Sequence, residues 1–251
     1  MRRPVVVVLA AALACTLTAS SLWAADDDPP ASAQTGRLDP VKTSTAQPST
    51  DVKAAIVDSL KLLGLEHAAR ITFQEKTRRG LRGDFWADYK RSVRWPGQWE
   101  DTDPWLVNYI GHPLHGAAAG YVWLDHDPHS NRETFGLNSR YWASRWRSVA
   151  WSAAYSVQFE IGPLSEASIG NVGMNPKTTG WVDYVVTPAG GLAILLAEDA
   201  LDRFLVRWVE GRTHNRFYRA SMRMLFGPAR ALANAASSKA PWERGGRPLD
   251  W

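Results

Sequence analysis

The chain has 251 residues, one cysteine and 13 tryptophans, and its 29 Lys and Arg against 25 Asp and Glu leave a formal charge of +4. One cysteine excludes an internal disulfide, so stability has to come from an apolar core, for which the length suffices in a single domain. The small net charge gives no global attraction to nucleic acid.

Residues 1–25 read as a secretory signal peptide: Arg2 and Arg3, an apolar run from Val5 to Leu17, then small residues up to Ala24 and Ala25. The apolar run falls short of the ~20 residues that a spanning helix needs. Cleavage after Ala24 or Ala25 removes only two charges, both arginines, and with them the sole thiol, Cys15. Cys15 follows Ala12-Leu13-Ala14, a lipoprotein box with its large and small residues exchanged, so lipidation there is the alternative anchor. Either way the chain is expected in the periplasm or at the periphery of the outer membrane.

Residues 26–50 are rich in Asp, Pro, Ser and Thr, and so poor in large apolar side chains that they read as a disordered linker. A single all-α domain, a bundle of about five to six helices, is expected over residues 51–251. Val52, Ile56, Leu60 and Leu63 recur at helical spacing behind a capping Thr50 or Asp51, and a second helical stretch ends near Gly80. Asp84 can cap a short aromatic helix, and Trp95-Pro96-Gly97 breaks the chain. Asp103-Pro104 starts a helix to about Trp123, bent by Pro113. After a polar loop (125–138), Ser139 opens a helix that Gly162-Pro163 stops. A loop follows; Thr178 or Thr179 then caps a long helix to about Glu210, kinked at Pro188. The last helix runs from about Asn215 to Ala235, before an irregular tail. No further apolar stretch reads as long enough to cross a bilayer.

Three helices carry polar groups on otherwise apolar or small-residue stripes: Asn108, His112, His115 and Ala119; Val149, Ala153, Ser156 and Glu160; Asp183, Thr187, Gly191, Ile194 and Glu198. If these stripes face one another, imidazoles and carboxylates meet in a low-dielectric interior, where each is unfavourable alone. Two arrangements relieve that. One is a divalent-metal site, zinc or similar, with His112, Glu160 and Asp183 as ligands and His115 or Glu198 as general base. The other is a polar cluster whose members bond only to each other and fix the packing. Glycines in two clusters, Gly111 to Gly120 and Gly190-Gly191, point to close helix approach. Arg212, Arg216, Arg219 and Arg223 form a basic side on the last helix, which either meets an anionic membrane or is a solvated face.

The segments N-Y-I-G-H-P-L-H-G (108–116), F-E (159–160) and W-V-D-Y-V-V-T-P-A-G-G (181–191) resemble a family of bacterial envelope proteins known only as a domain of unknown function. The resemblance covers roughly residues 105–200. It implies that Asn108, His112, Pro113, Gly116, Glu160, Asp183, Thr187, Pro188 and Gly191 belong to one site or one structural node, and it implies no reaction. Three functions follow as expectations: an exported envelope protein built round this cluster, a metal-assisted hydrolase of a lipid or other envelope component, and an interfacial lipid-binding module.

Overall fold

The computed structural model describes residues 49–93, 96–101, 103–130, 133–169 and 180–249. The signal-peptide segment, nearly all of the linker, and the Thr178 and Thr179 caps lie outside them. The fold is all-α, with eight helices among the described residues rather than five or six. They are α1 (Val52–Phe73), α2 (Glu75–Gly80), α3 (Phe85–Ser92), α4 (His112–His126), α5 (Ser139–Ile161), α6 (Val182–Glu210), α7 (Arg216–Leu225) and α8 (Pro228–Ala236). Among the described residues the only β contact is one bridge, Gln98 to Gly180. It ties the segment before α4 to the start of α6.

Local chemistry explains most boundaries. Asp51 caps α1 by accepting from the Ala54 amide, Asp84 caps α3, and Asn138 caps α5 through the Tyr141 amide. The long stretch to Gly80 is divided at Gln74, which has extended backbone. The expected last helix is likewise two, because Gly227-Pro228 starts α8 with proline in its first turn. Asp103 does not cap the helix that follows it; its carboxylate pairs with Lys76 at 2.7 Å.

α4 is the axis of the bundle, packed by α1, α5, α6 and α8, and from His115 to Leu124 all its residues are buried. One wide turn (Val107–Gly111) leads into it, with the His112 amide donating five residues back to the Val107 carbonyl. Pro113 has no N–H to give the Tyr109 carbonyl, and a widened turn just before it absorbs that loss. The expected bend is therefore a local swelling of the helix on which Asn108 sits.

Small residues set the crossing of α4 and α6. A Cβ on Gly116 would fall 2.1 Å from the Thr187 carbonyl oxygen, and one on Gly191 would fall 2.8 Å from the Gly116 carbonyl carbon. The two backbones touch there, leaving no room for an alanine at either position.

Two apolar patterns point differently from their sequence reading. On α1 the buried line is Ala55, Ser59, Leu62 and Leu63, while Val52, Ile56 and Leu60 face outward. Small side chains allow α1 closer to its neighbours, and Trp151 reaches across to donate to Ser59 at 3.1 Å. On α5, Ser148, Ser152 and Ser156 are buried, and Val149 and Ala153 only half-buried. α6 runs to Glu210 as expected, through a wide turn (Asp202–Val206), but at 29 residues it is, against expectation, long and apolar enough to cross a membrane by length and composition. It nevertheless carries Asp183, Thr187, Glu198 and Asp199 on its buried side.

Candidate functional site

The α4–α6 crossing sets the site. One turn before Gly116, the His112 ring faces Asp183 and Thr187 of α6 and Glu160 at the end of α5. His112 Nε2 lies 3.4 Å from Asp183 Oδ1, and its Nδ1 lies 3.3 Å from Thr187 Oγ1 and 4.0 Å from Glu160 Oε1. All four residues are buried. One donor atom from each of His112, Glu160 and Asp183 falls within 4.8 Å of the others. Ligands around a tetrahedral zinc stand about 3.4 Å apart, so small side-chain rotations would close this set on one ion.

Electrostatics separate this trio from its surroundings. Burial holds Glu160 well above the usual carboxylate range, and the charge of Asp183 adds to the effect. Burial also pushes Asp183 up to about 9, helped by the charge of Asp101 and by a hydrogen bond between the two side chains. Burial lowers His112 to about 3, reinforced by His115 and Arg70. Without a cation, the centre is a neutral imidazole between protonated acids. A divalent ion would replace those protons, since carboxylate oxygens and a neutral imidazole are its natural donors.

A second trio, Asp103, His112 and Glu166, also has donor atoms close enough to hold an ion. Its acids are already compensated: Asp103 by Lys76 at 2.7 Å and Glu166 by Arg70 at 2.5 Å. No cation side chain pairs with Glu160 or Asp183 among the described residues, and Glu160 Oε1 and Asp183 Oδ1 are buried without a hydrogen-bonding partner. The first trio is the stronger candidate.

Of the 13 such partnerless buried side-chain atoms among the described residues, seven lie in this region, on Glu66, His67, Arg70, Asn108, His115, Glu160 and Asp183. Folded proteins rarely leave buried polar atoms unpaired, and a cluster of them marks a place built for something other than stability. Phe159 lies at its middle, with the rings of His67, His112 and His115 at 5.3, 6.1 and 4.4 Å from its own.

The remaining expected residues divide. Asn108 is buried and donates to Asp101 at 2.6 Å, placing Asp101 against Asp183. Pro113, Pro188, Gly116 and Gly191 shape the crossing: the Pro113 ring fills the space where a Cβ on Gly190 would lie, 2.7 Å from its Cγ. Pro188 interrupts the backbone ladder of α6 just after Thr187. His115 pairs with Glu66 of α1 at 3.1 Å. Glu198 is not brought to the centre. It lies about four turns beyond Asp183 and accepts from the Ala229 and Arg230 amides at 2.8 and 3.2 Å, closing the start of α8.

Sequence reading missed Glu66, Arg70, Asp101, Asp103 and Glu166. A signal for the first two existed, since Ser59, Leu62, Glu66 and Arg70 continue the small-residue face of α1. The other three sit on connecting segments, where no periodicity assigns a direction.

The basic side of the last helix is also rearranged. Arg223 is fully buried, paired with Glu210 at 2.5 Å and bonded to the Trp242 carbonyl, so it cannot meet a membrane. Arg212 stacks on Trp208 in solvent, 3.8 Å from the ring centre. The outward face of α7 is largely apolar, with Phe217, Tyr218 and Leu225 exposed beside Arg216 and Ser221.

No family model, curated protein or solved structure matches the chain.

Proposed function

We propose that this is an exported envelope protein whose buried centre holds one divalent metal ion, zinc or similar, on His112, Glu160 and Asp183, and which uses it in a hydrolytic reaction on an envelope component. The observation carrying this reading is the pair of partnerless buried carboxylate oxygens beside a neutral imidazole. A cluster serving only to fix packing would bond to itself, because each unpaired buried group costs about 1–3 kcal/mol. Three protein ligands leave a fourth position for water or substrate, as catalytic rather than structural zinc sites do. A metal there would polarise a carbonyl or phosphoryl oxygen and acidify water. A neutral His112 donating from Nδ1 to Thr187 keeps its Nε2 lone pair on the side of Asp183. Envelope location is supported by the order of charged, apolar and small residues in 1–25, and kinship with the envelope family by the ordered motif on α4, α5 and α6. Elemental analysis of the purified mature chain tests the reading. It expects one equivalent of metal, and a melting temperature that drops in chelator. Substoichiometric metal with an unchanged melting temperature refutes it.

A second reading, compatible with the first, is that the domain rests on a membrane. It is favoured by the outward apolar face of α7, where Phe217, Ala220, Ser221, Met224 and Trp242 line a hollow of about 320 Å³. Flotation with phosphatidylglycerol vesicles tests it. Replacing Phe217 and Leu225 by Ser should release the mature chain more completely than replacing Arg212 and Arg216, and undiminished flotation of both variants removes the idea.

A further inference from the structure

His115 lies one turn beyond His112 on α4, with its ring centre 5.8 Å from that of His112. Its Nδ1 is 3.1 Å from Glu66 Oε2, and the Tyr155 hydroxyl of α5 donates to the same oxygen at 2.9 Å. The carboxylate is therefore approached from two helices, bonded by the phenol and at ion-pair distance from the imidazole. His115 Nε2 is enclosed and has no hydrogen-bonding partner.

We infer that Glu66, His115 and Tyr155 form a proton-accepting relay beside the metal centre, with His115 Nε2 as the basic atom and Glu66 as its positioning residue. Glu66 Oε2 lies nearest Nδ1, and an ionised carboxylate can only accept, so it favours the one N–H of a neutral imidazole on Nδ1 and leaves the Nε2 lone pair bare. Tyr155 keeps its own proton, because burial and the charge of Glu66 push the phenol well above its ordinary range. It therefore steadies Glu66 without competing for the base. A pair that merely tied α1 to α4 would gain nothing by enclosing an unsatisfied Nε2.

This relay rests on the hydrolytic reading for its purpose. In that reaction a water O–H bond breaks, its proton goes to Nε2, and its electron pair forms the new bond at the electrophilic centre of the substrate. The bond to the leaving group breaks with its pair, and that group takes the proton back from Nε2. Glu66 balances the imidazolium in between, and no net proton is consumed at His115.

The test uses the mature chain labelled with 15N-histidine, metal-free and zinc-loaded, and reads the imidazole tautomers by NMR. His115 is expected with its proton on Nδ1 in both forms. Glu66→Gln should change the tautomer ratio at least tenfold and Tyr155→Phe should not, both with the wild-type zinc content. A wild-type ring protonated on Nε2, or a ratio indifferent to Glu66→Gln, overturns the relay. Cobalt(II) supplies the readout that a structural role would not move. The pH midpoint of its visible absorption should shift by at least one unit in both Glu66→Gln and His115→Asn, and an unmoved midpoint overturns the relay. A wild-type chain that binds neither ion refutes the metal centre instead, and the metal-free tautomers then decide the relay alone.

Discussion

The two ends of α6 hold polar groups in opposite states. At the far end, Asp199 is saturated: Arg145 at 2.6 Å, Arg230 at 2.7 Å, Tyr141 at 2.9 Å and Tyr121 at 3.2 Å all bond its two oxygens. Each guanidinium also lies over one of those tyrosine rings, at 4.1 and 4.4 Å. Next to it, Glu198 bonds two amides of α8. At the near end, Asp183 and Glu160 have oxygens with nothing to bond. Both ends are buried, so burial alone does not distinguish a structural acid from a functional one. Saturation separates these acids: Asp199 has its bonding capacity filled, whereas Glu160 and Asp183 each keep a buried oxygen without a hydrogen-bonding partner, which a ligand of the kind proposed would fill.

Asp199→Ala should give the largest effect, about 3–5 kcal/mol in urea unfolding, because it strands a buried Arg145. Asp183→Asn in the metal-free chain should cost nothing at neutral pH and should instead stabilise it, since no ion pair is lost and the amide needs no proton to be buried. Equal costs for the two would break the comparison.

Zinc at a hundredfold excess over its Kd should stabilise the wild-type chain by about 2.7 kcal/mol and leave Asp183→Asn unmoved. Calorimetry with and without zinc reads this directly. His112→Ala should cost about 1–3 kcal/mol without metal, through the polar partners it abandons. An unchanged melting temperature would mean that the ring is not held where it is described.

The pH dependence follows from the same centre. Asp183 rises from 3.8 to about 9 on folding, so the folded chain binds the extra proton and its contribution is lost as pH climbs between those values. His112 falls from 6.5 to about 3, so its contribution is complete above 6.5 and is lost as pH drops towards 3. Between 3.8 and 6.5 the two oppose each other. Above 6.5 the buried acids act without the imidazole, Glu160 alongside Asp183, and the metal-free chain should lose about 1.4 kcal/mol per pH unit for each of them that is still protonated. Asp183→Asn, or bound zinc, should flatten that slope in urea titrations. The smallest effect belongs to Glu198→Gln, about 1 kcal/mol from a weakened helix cap, with metal content unchanged. Lost metal in that variant would join the two ends into one site.

Much of the site was legible because helices impose a period. Asn108, His112 and His115 on α4 and its leading turn, and Asp183, Thr187 and Gly191 on α6, are all buried, as their spacing by three or four residues predicts. Glu198 shows the limit of that inference. It continues the stripe of α6, yet a stripe says which side a residue faces and not how far along the helix the partners extend. Arg223 shows another, since a charge at helical spacing looks solvated until Glu210 and the tail are folded over it.

The sequence by itself determined the helical class, the caps at Asp51 and Asp84, and the polar stripe of α6 from Asp183 to Gly191, because these depend on neighbours within a turn or two. Only the tertiary structure decided which acids meet which bases. Glu66 reaches His115, Lys76 takes Asp103 and Arg70 takes Glu166, while the Gly116–Gly191 crossing sets Asp183 against His112. Those pairings join residues far apart along the chain, and a Coulomb or hydrogen-bond energy depends on distance in space, about which local periodicity carries no information.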